Sequence, residues 1–204
     1  MFGLPQKTEV NKQLPKKLIY DKFSMSAQER ETFDRDISKL FISHELSPST
    51  LQVQDGPKIH SCFVVLVELK ARKYSEKNIL SITRLIPQNM LFALRFGKDI
   101  QFAAVVKRFL STSWMREDEA TLSIEGLSMD TIWQNIIIQI ADIELDGQNT
   151  LEQQITINDK QEQLQKHIEQ LEKLARKETQ PRKKLELFDT IQALKKEGEN
   201  TNER

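Results

Sequence analysis

Hydrophobic residues change between helical and strand-like spacing several times along the chain. Intervals of 4, 3, 1 and 5 residues predict a first helix, carried by Phe33, Ile37, Leu40, Phe41 and Leu46. Ser24 or Ser26 can cap this helix. Pro48 ends it, because the residue before a proline avoids the helical region.

Strand-like sequence follows the predicted first helix. Residues 51–53 predict a short strand, residues 54–58 (QDGPK) a turn, and residues 59–69 the main strand. Every position from 63 to 67 is apolar, which is typical of a strand that is covered on both faces.

The next segments predict a second helix and a hairpin. Residues 75–85 have helical spacing through Ile79, Ile82 and Leu85, and Pro87 ends the helix. NMLFALRF and IQFAAVVKRF then predict two strands joined across Gly97-Lys98-Asp99. Ser128 caps a further helix that runs from Met129 to about Ile143, and its apolar stripe would pack on the sheet. The fold class is therefore α/β, a single mixed-sheet domain with flanking helices.

The chain changes character after residue 150. Ile157, Leu164, Ile168, Leu171 and Ala175 are spaced by 7, 4, 3 and 4 residues, which is a heptad pattern. Pro181 interrupts the pattern and fits the first turn of another helix. This segment is predicted to be a helical hairpin, a short coiled coil or one kinked helix. Its stripe needs a partner, which can be the segment itself, the domain, a second copy or another protein. The predicted partner-binding residues are Leu164, Ile168, Leu171, Leu187, Ile191 and Leu194.

These segments divide the chain into four parts. Residues 1–19, with two prolines and four lysines, predict a basic extended arm, and residues 20–147 the mixed α/β domain. Residues 151–197 form the helical appendage, and residues 198–204 are predicted to be a disordered tail. No apolar run approaches the roughly 20 residues that span a bilayer, so no membrane contact is expected.

The net charge of zero hides a segregation of charge. Residues 71–110 carry eight Lys or Arg against two acids, a net +6, whereas residues 111–150 carry one Arg against eight acids, a net −7. Such a division can bind a polyanion on one side, or the two blocks can face and neutralise each other.

A candidate DNA-binding surface lies at the start of the basic block. The segment ELKARKYSEK places cations around Tyr74 at a strand-to-helix turn. Cations of this kind hold phosphates with little sequence preference, although an ordinary solvated surface has the same composition. The predicted nucleic-acid-binding residues are Lys70, Arg72, Lys73, Lys77 and Arg84.

The same strand end suggests an alternative chemistry. Many metal-dependent nucleases end a core strand on Glu-x-Lys with an aspartate upstream, and here Glu68, Lys70 and Asp55 match that pattern. Two carboxylates would hold Mg²⁺ while Lys70 stabilises the transition-state charge. Against catalysis, the nuclease core has three strands before the second helix, and the sequence predicts two. Asp55 also lies in an Asp-Gly-Pro turn sequence.

Other enzyme classes have less support. The sequence has no Gly-rich phosphate-binding motif, and its three histidines lack metal-ligand spacing. Cys62, the single cysteine, lies in an apolar run, which is typical of a core residue and excludes an intramolecular disulfide. We expect no cofactor unless the nuclease hypothesis holds, and a reducing cytoplasm as the compartment.

Four segments resemble an uncharacterised bacterial family: MFGLPQKTEVNKQLPKK, HELSPSTLQV, LIPQNMLFAL and EKLARKETQPRKKLELFDTIQALKKE. The resemblance implies a gene neighbourhood of restriction or phage-defence helicases and methyltransferases, and it offers no catalytic residues. With it, the sequence favours a non-catalytic accessory subunit that docks such a partner and contacts DNA. The alternative is a Mg²⁺-dependent nuclease, active or degenerate.

Overall fold

The structure is a computed structural model, and it describes residues 1–84, 86, 88–145 and 149–202. The chain forms two compact units, Met1–Glu144 and Leu145–Arg204. The first unit is built on one seven-stranded sheet, with strands β1 Glu9–Gln13, β2 Ile37–Leu46, β3 Cys62–Leu69, β4 Asn89–Phe96, β5 Asp99–Val106, β6 Arg108–Ser111 and β7 Met115–Arg116.

The strands follow one another across the sheet in chain order from β1 to β6, and β7 pairs with β5. The pair β3–β4 is parallel, and the other pairs are antiparallel. A parallel pair needs a crossover, which a helix supplies here. The helices of this unit are α1 Lys16–Lys22, α2 Ala27–Asp36, α3 Pro48–Leu51, α4 Glu76–Thr83 and α5 Met129–Ala141. The mixed α/β fold class is confirmed.

The two faces of the sheet carry different helices. On one face, Ile19 of α1, Phe33 of α2 and Ile79 of α4 form one core cluster with Val65 and Val67 of β3. We call this the α4 face. Because side chains alternate along a strand, the neighbouring residues of β3 lie on the opposite face. Helix α5 contacts β5 and β6, as its apolar stripe predicted, and we call that side the α5 face.

The predicted N-terminal arm is part of the domain. β1 pairs antiparallel with β2 at the edge of the sheet, and Phe2 and Leu14 are buried. The Phe2 ring lies edge-on to Phe102, 5.3 Å between centroids. An arm outside the domain was therefore the wrong prediction, because the buried Phe2 and Leu14 anchor the polar strand from either side.

The first predicted helix is too long. Helix α2 begins after the predicted cap Ser26, but it ends at Asp36, and Ile37–Leu46 is strand β2. β2 is buried on both faces and its register shifts twice, between Ile37 and Lys39 and between Ile42 and His44. Both effects break strict alternation, so the apolar positions imitated helical spacing.

The predicted short strand at 51–53 is also wrong. Ser47 caps the short helix α3, and Pro48 occupies its first turn. Proline at this position starts a helix rather than ending one, since its missing N–H needs no partner there.

The later predictions for this unit hold, except that the second strand of the predicted hairpin ends at Val106 and Arg108–Ser111 forms the separate strand β6. β3 forms over Cys62–Leu69, with Val64 to Val67 all buried, and α4 follows it. β4 and β5 form the expected hairpin, with Phe96 opposite Asp99. Ser128 caps α5 by accepting a hydrogen bond from the Thr131 N–H. The predicted end of α4 at Leu85 and Pro87 lies outside the described residues.

The second unit is a helical pair, α6 Leu151–Lys177 and α7 Pro181–Asn202. Ile168 and Ala175 of α6 form one buried cluster with Ile191 of α7, so the pair is a hairpin. Helix α7 includes residues 198–202 of the predicted tail, and residues 203–204 lie outside the described part. In the described part of the chain, no helix is both long and apolar enough to cross a membrane.

Candidate nucleic-acid interface

The five predicted nucleic-acid-binding residues are all exposed. They lie on the turn that leaves β3 and on helix α4. Lys77 and Arg84 are seven residues apart, so they share one side of the helix, while Ile79 and Ile82 bury the other side. We call this set the basic patch: Lys70, Arg72, Lys73, Lys77 and Arg84.

A buried carboxylate holds the turn in place. Asp36, at the end of α2, is only 4% exposed. Its Oδ2 accepts hydrogen bonds from the Ser75 N–H at 2.8 Å and from Asn78 Nδ2 at 2.9 Å. Its backbone carbonyl accepts the Lys70 N–H at 2.8 Å. Asp36 therefore ties both ends of the turn to the domain, so its cations project from a fixed backbone.

Arg72 differs from the rest of the basic patch because it has two partners. Its guanidinium donates to the Asp99 carboxylate and lies over the Trp114 ring, 5.5 Å from the centroid. A guanidinium over an aromatic face is attracted by the ring's negative potential. Arg72 thus joins the turn to β5 and to the segment before β7.

Tyr74 is not an exposed stacking platform. Its hydroxyl donates to Gln101 Oε1 at 2.9 Å, and its ring lies 6.5 Å from that of Phe109. Burial raises the pKa of Tyr74 to about 12. The aromatic that the sequence placed among the cations therefore packs the turn onto the sheet.

Three cations of the basic patch differ from Arg72 in their partners. Within the described residues, Lys73, Lys77 and Arg84 take part in no ion pair. The predicted neutralisation between the basic and acidic blocks occurs at Arg95, whose Nη1 lies 3.2 Å from Glu117. It does not reach these three residues, so this part of the basic patch keeps its charge for an outside partner.

The predicted catalytic set does not assemble. Asp55 lies before β3, where its carboxylate is 3.0 Å from His60 Nδ1 and accepts the Gly56 N–H. Glu68 lies at the other end of the strand. The six steps from Cys62 to Glu68 alone span about 20 Å. Asp55 therefore cannot share a metal ion with Glu68, and this part of the nuclease hypothesis is wrong.

Glu68 has a cationic residue opposite it on each neighbouring strand. It pairs in register with Lys39 of β2 and Arg95 of β4, and Arg95 Nη2 lies 2.5 Å from its Oε1. A nuclease centre needs a second carboxylate beside the glutamate, and a lysine occupies that neighbouring position here. Among the described residues, no group of three His, Cys, Asp or Glu side chains is placed to hold a metal ion.

The number of strands before helix α4, in contrast, no longer argues against the nuclease hypothesis. The strands that the sequence did not predict are β1, in the supposed arm, and β2, within the predicted first helix. The sheet thus has three antiparallel strands, β1 to β3, before helix α4, and β4 returns parallel to β3. The strand arrangement expected of a nuclease core is present, while the pair of carboxylates at its strand end is not.

The predicted partner-binding residues lie inside the helical hairpin. Ile168 and Ile191 are 4% and 2% exposed, and the four leucines of the set pack against them. A three-residue connection lets α7 fold back on α6, so the stripe finds its partner within the chain. These six residues are not a free docking surface. The exposed apolar residues of the pair are instead Leu174, Leu185 and Phe188.

The residues that support the basic patch were not predicted from the sequence. Asp36 and Asp99 are single acids whose roles depend on contacts 27 to 42 residues away in sequence, so no local signal identifies them. Trp114 did have a signal. It is the only aromatic residue in the polar segment STSWMREDEA, and tryptophan in such surroundings is common at binding surfaces.

Together, these features define a mixed α/β domain with an exposed cationic turn, joined in sequence to a helical hairpin. The chain belongs to the family described as domain of unknown function (DUF4391), whose model matches residues 2–197. This membership confirms the resemblance to an uncharacterised family that the four sequence motifs carry. No curated protein and no solved structure matches the chain.

Proposed function

We propose that the protein is a non-catalytic accessory subunit of a DNA-processing or phage-defence assembly, and that the basic patch contacts the DNA backbone. The observation that carries this proposal is that, within the described residues, the exposed Lys73, Lys77 and Arg84 take part in no ion pair, on and beside a turn fixed by Asp36. Cations on a fixed backbone neutralise phosphates without paying to order the turn.

The surroundings of Glu68 in the described part of the chain support a binding role. Arg95 already pairs with the carboxylate, Lys39 stands opposite it in register, and Asp55 lies beyond the far end of β3. The strand order favours a second candidate, a nuclease-like domain. Because Lys39 stands opposite Glu68, that candidate is best supported in its degenerate form, which binds DNA without cutting it.

The partner in this proposal is a helicase or a methyltransferase, and its identity rests on the family resemblance alone. Since the heptad residues are enclosed in the hairpin, a partner would meet the outward apolar residues of the helical pair, Leu185 and Phe188 of α7 among them.

The test is binding of a labelled DNA duplex at two salt concentrations, with Mg²⁺ or Mn²⁺ present so that cleavage is followed in the same samples. We expect salt-sensitive binding and no cleavage. The double substitution Lys73→Ala/Lys77→Ala should weaken binding and reduce the slope of log affinity against log salt by about two.

The matched control is Lys58→Ala/Lys160→Ala, which removes the same charge from exposed positions outside the basic patch. If the control weakens binding as much, the effect is one of net charge and the assigned surface is wrong. Cleavage that disappears in a Glu68→Ala protein would overturn the non-catalytic proposal.

A further inference from the structure

Two aromatic residues lie beside the basic patch at the end of the β4–β5 hairpin. Phe96 is the last residue of β4 and is 36% exposed, and Trp114 is partly exposed between β6 and β7. We call these two residues the aromatic patch. An exposed phenylalanine at a strand end leaves apolar area in water, which is typical of a contact surface.

The topology joins this aromatic patch to the basic patch. Phe96 follows Phe92 and Leu94 in alternation, which places it on the α4 face. It stands opposite Asp99, and Asp99 binds Arg72. Phe96 is therefore linked through one ion pair to the turn that carries the cations.

Trp114 completes the surface. One side of its indole packs against the core cluster of the α4 face, and Arg72 lies over the ring. The Arg72 side chain is 55% exposed, so it remains accessible to a ligand. Nucleobases stack on aromatic side chains and on arginine guanidinium groups, and both are present here.

We propose that the basic patch and the aromatic patch together bind single-stranded nucleic acid. The inference rests on the proposed function and deepens it by naming the strandedness of the ligand. Phosphates lie along Lys73, Lys77 and Arg84, while unstacked bases contact Phe96 and the Arg72–Trp114 pair. Duplex bases are stacked on each other and cannot use the aromatic patch, whereas cations followed by stacking surfaces are the usual way to bind single strands.

The two tryptophans of the chain allow a direct test. Trp133 is buried in α5 on the other face of the sheet, at 8% exposure, whereas Trp114 belongs to the proposed site. A Trp133→Phe protein therefore reports on Trp114 alone, and a Trp114→Phe protein reports on Trp133 alone. The probe is oligo(dT), with binding followed by anisotropy of the labelled oligonucleotide and by tryptophan fluorescence.

We expect oligo(dT) to quench the fluorescence of the wild type and of Trp133→Phe, and to leave that of Trp114→Phe unchanged. Phe96→Ala should weaken oligo(dT) binding on the order of tenfold and change duplex binding little. Should Trp133→Phe fail to fold, the wild type against Trp114→Phe gives the same comparison.

The outcomes separate this inference from the proposed function. Oligo(dT) binding without quenching, or an equal loss for duplex and single strand in Phe96→Ala, would overturn the single-strand inference and leave DNA binding intact. If neither duplex nor oligo(dT) binds at low salt, the proposed function fails and the inference fails with it.

Discussion

The two faces of the sheet use their cations in different ways where β3 and β4 end. On the α5 face, Arg95 lies between two carboxylates, with Glu68 at 2.5 Å and Glu117 at 3.2 Å. On the α4 face, Lys77 and Arg84 extend from helix α4 and take part in no ion pair within the described residues. The same residue types thus serve stability at Arg95 and, apart from Arg72 in its pair with Asp99, remain available for binding in the basic patch.

A count of charges therefore does not locate a binding surface, because paired and unpaired cations count equally. A paired arginine that is three-quarters buried has already exchanged water for carboxylates, so a phosphate would have to displace them. An exposed, unpaired lysine binds phosphate by releasing counterions. Substitution of a paired cation on the α5 face should therefore lower stability and change DNA affinity little. Substitution of an unpaired cation on the α4 face should lower DNA affinity and change stability little.

Substitution of Asp36, which holds the turn of the basic patch in place, should change stability the most. Asp36→Ala leaves the Ser75 N–H and the Asn78 amide without their acceptor in a buried place, so the free energy of unfolding should fall by about 3 kcal/mol. DNA affinity should also fall, although the substitution removes a negative charge near the basic patch. Urea denaturation and duplex binding at low salt measure the two effects.

The control for this substitution is Glu76→Gln. Glu76 is an exposed acid in the first turn of α4, and its loss removes the same charge without removing the anchor of the turn. We expect DNA affinity to rise slightly in this protein. If Asp36→Ala raises affinity in the same way, charge alone governs binding and the fixed turn contributes nothing.

The second prediction compares one cation from each face. Arg95→Ala leaves Glu68 and Glu117 without their shared partner in a half-buried place, and the free energy of unfolding should fall by about 1–2 kcal/mol. Arg84→Ala should change it by less than about 0.5 kcal/mol. Duplex affinity should fall more in Arg84→Ala than in Arg95→Ala, since Arg84 is free to contact phosphate. An equal loss of DNA affinity in both proteins would show that the two faces do not divide these roles.

Much of the fold was predictable from the sequence because its signals are local. The run of apolar residues in β3, the hairpin at Gly97 and the Ser128 cap each depend on residues within a few positions. The errors came from β1 and β2. β2 is buried on both faces and has two register shifts, so its apolar residues do not alternate.

The candidate site was predictable only in part, for the same physical reason. A cluster of cations after a strand is visible in the sequence, and Lys73 in the turn and Lys77 at the start of α4 are both exposed, as predicted. Their lack of ion pairs depends on where every acid lies in space. Likewise, Asp55 is close to Glu68 in sequence, but the length of β3 separates the two carboxylates.

The last prediction tests whether a residue on the α5 face contributes to stability without contributing to DNA binding. His44 of β2 is 1% exposed, its Nδ1 lies 3.1 Å from Ser43 Oγ, and Phe2 packs nearby. Burial lowers the pKa of His44 below its ordinary value. The charge of the Met1 amino group adds to this effect, and Glu9 opposes it.

Because the folded protein lowers the pKa of His44, it should be less stable in acid. Below the ordinary pKa of about 6.5, the unfolded chain binds a proton that the folded protein still excludes, so stability falls as the pH falls toward the folded value. His44→Gln should flatten this acid dependence in urea denaturation, whereas the exposed His167→Gln should leave it unchanged. DNA affinity at constant pH should be equal in all three proteins, because His44 lies on the α5 face. A loss of affinity in His44→Gln would show that the two faces are coupled and that stability and binding are not divided between them.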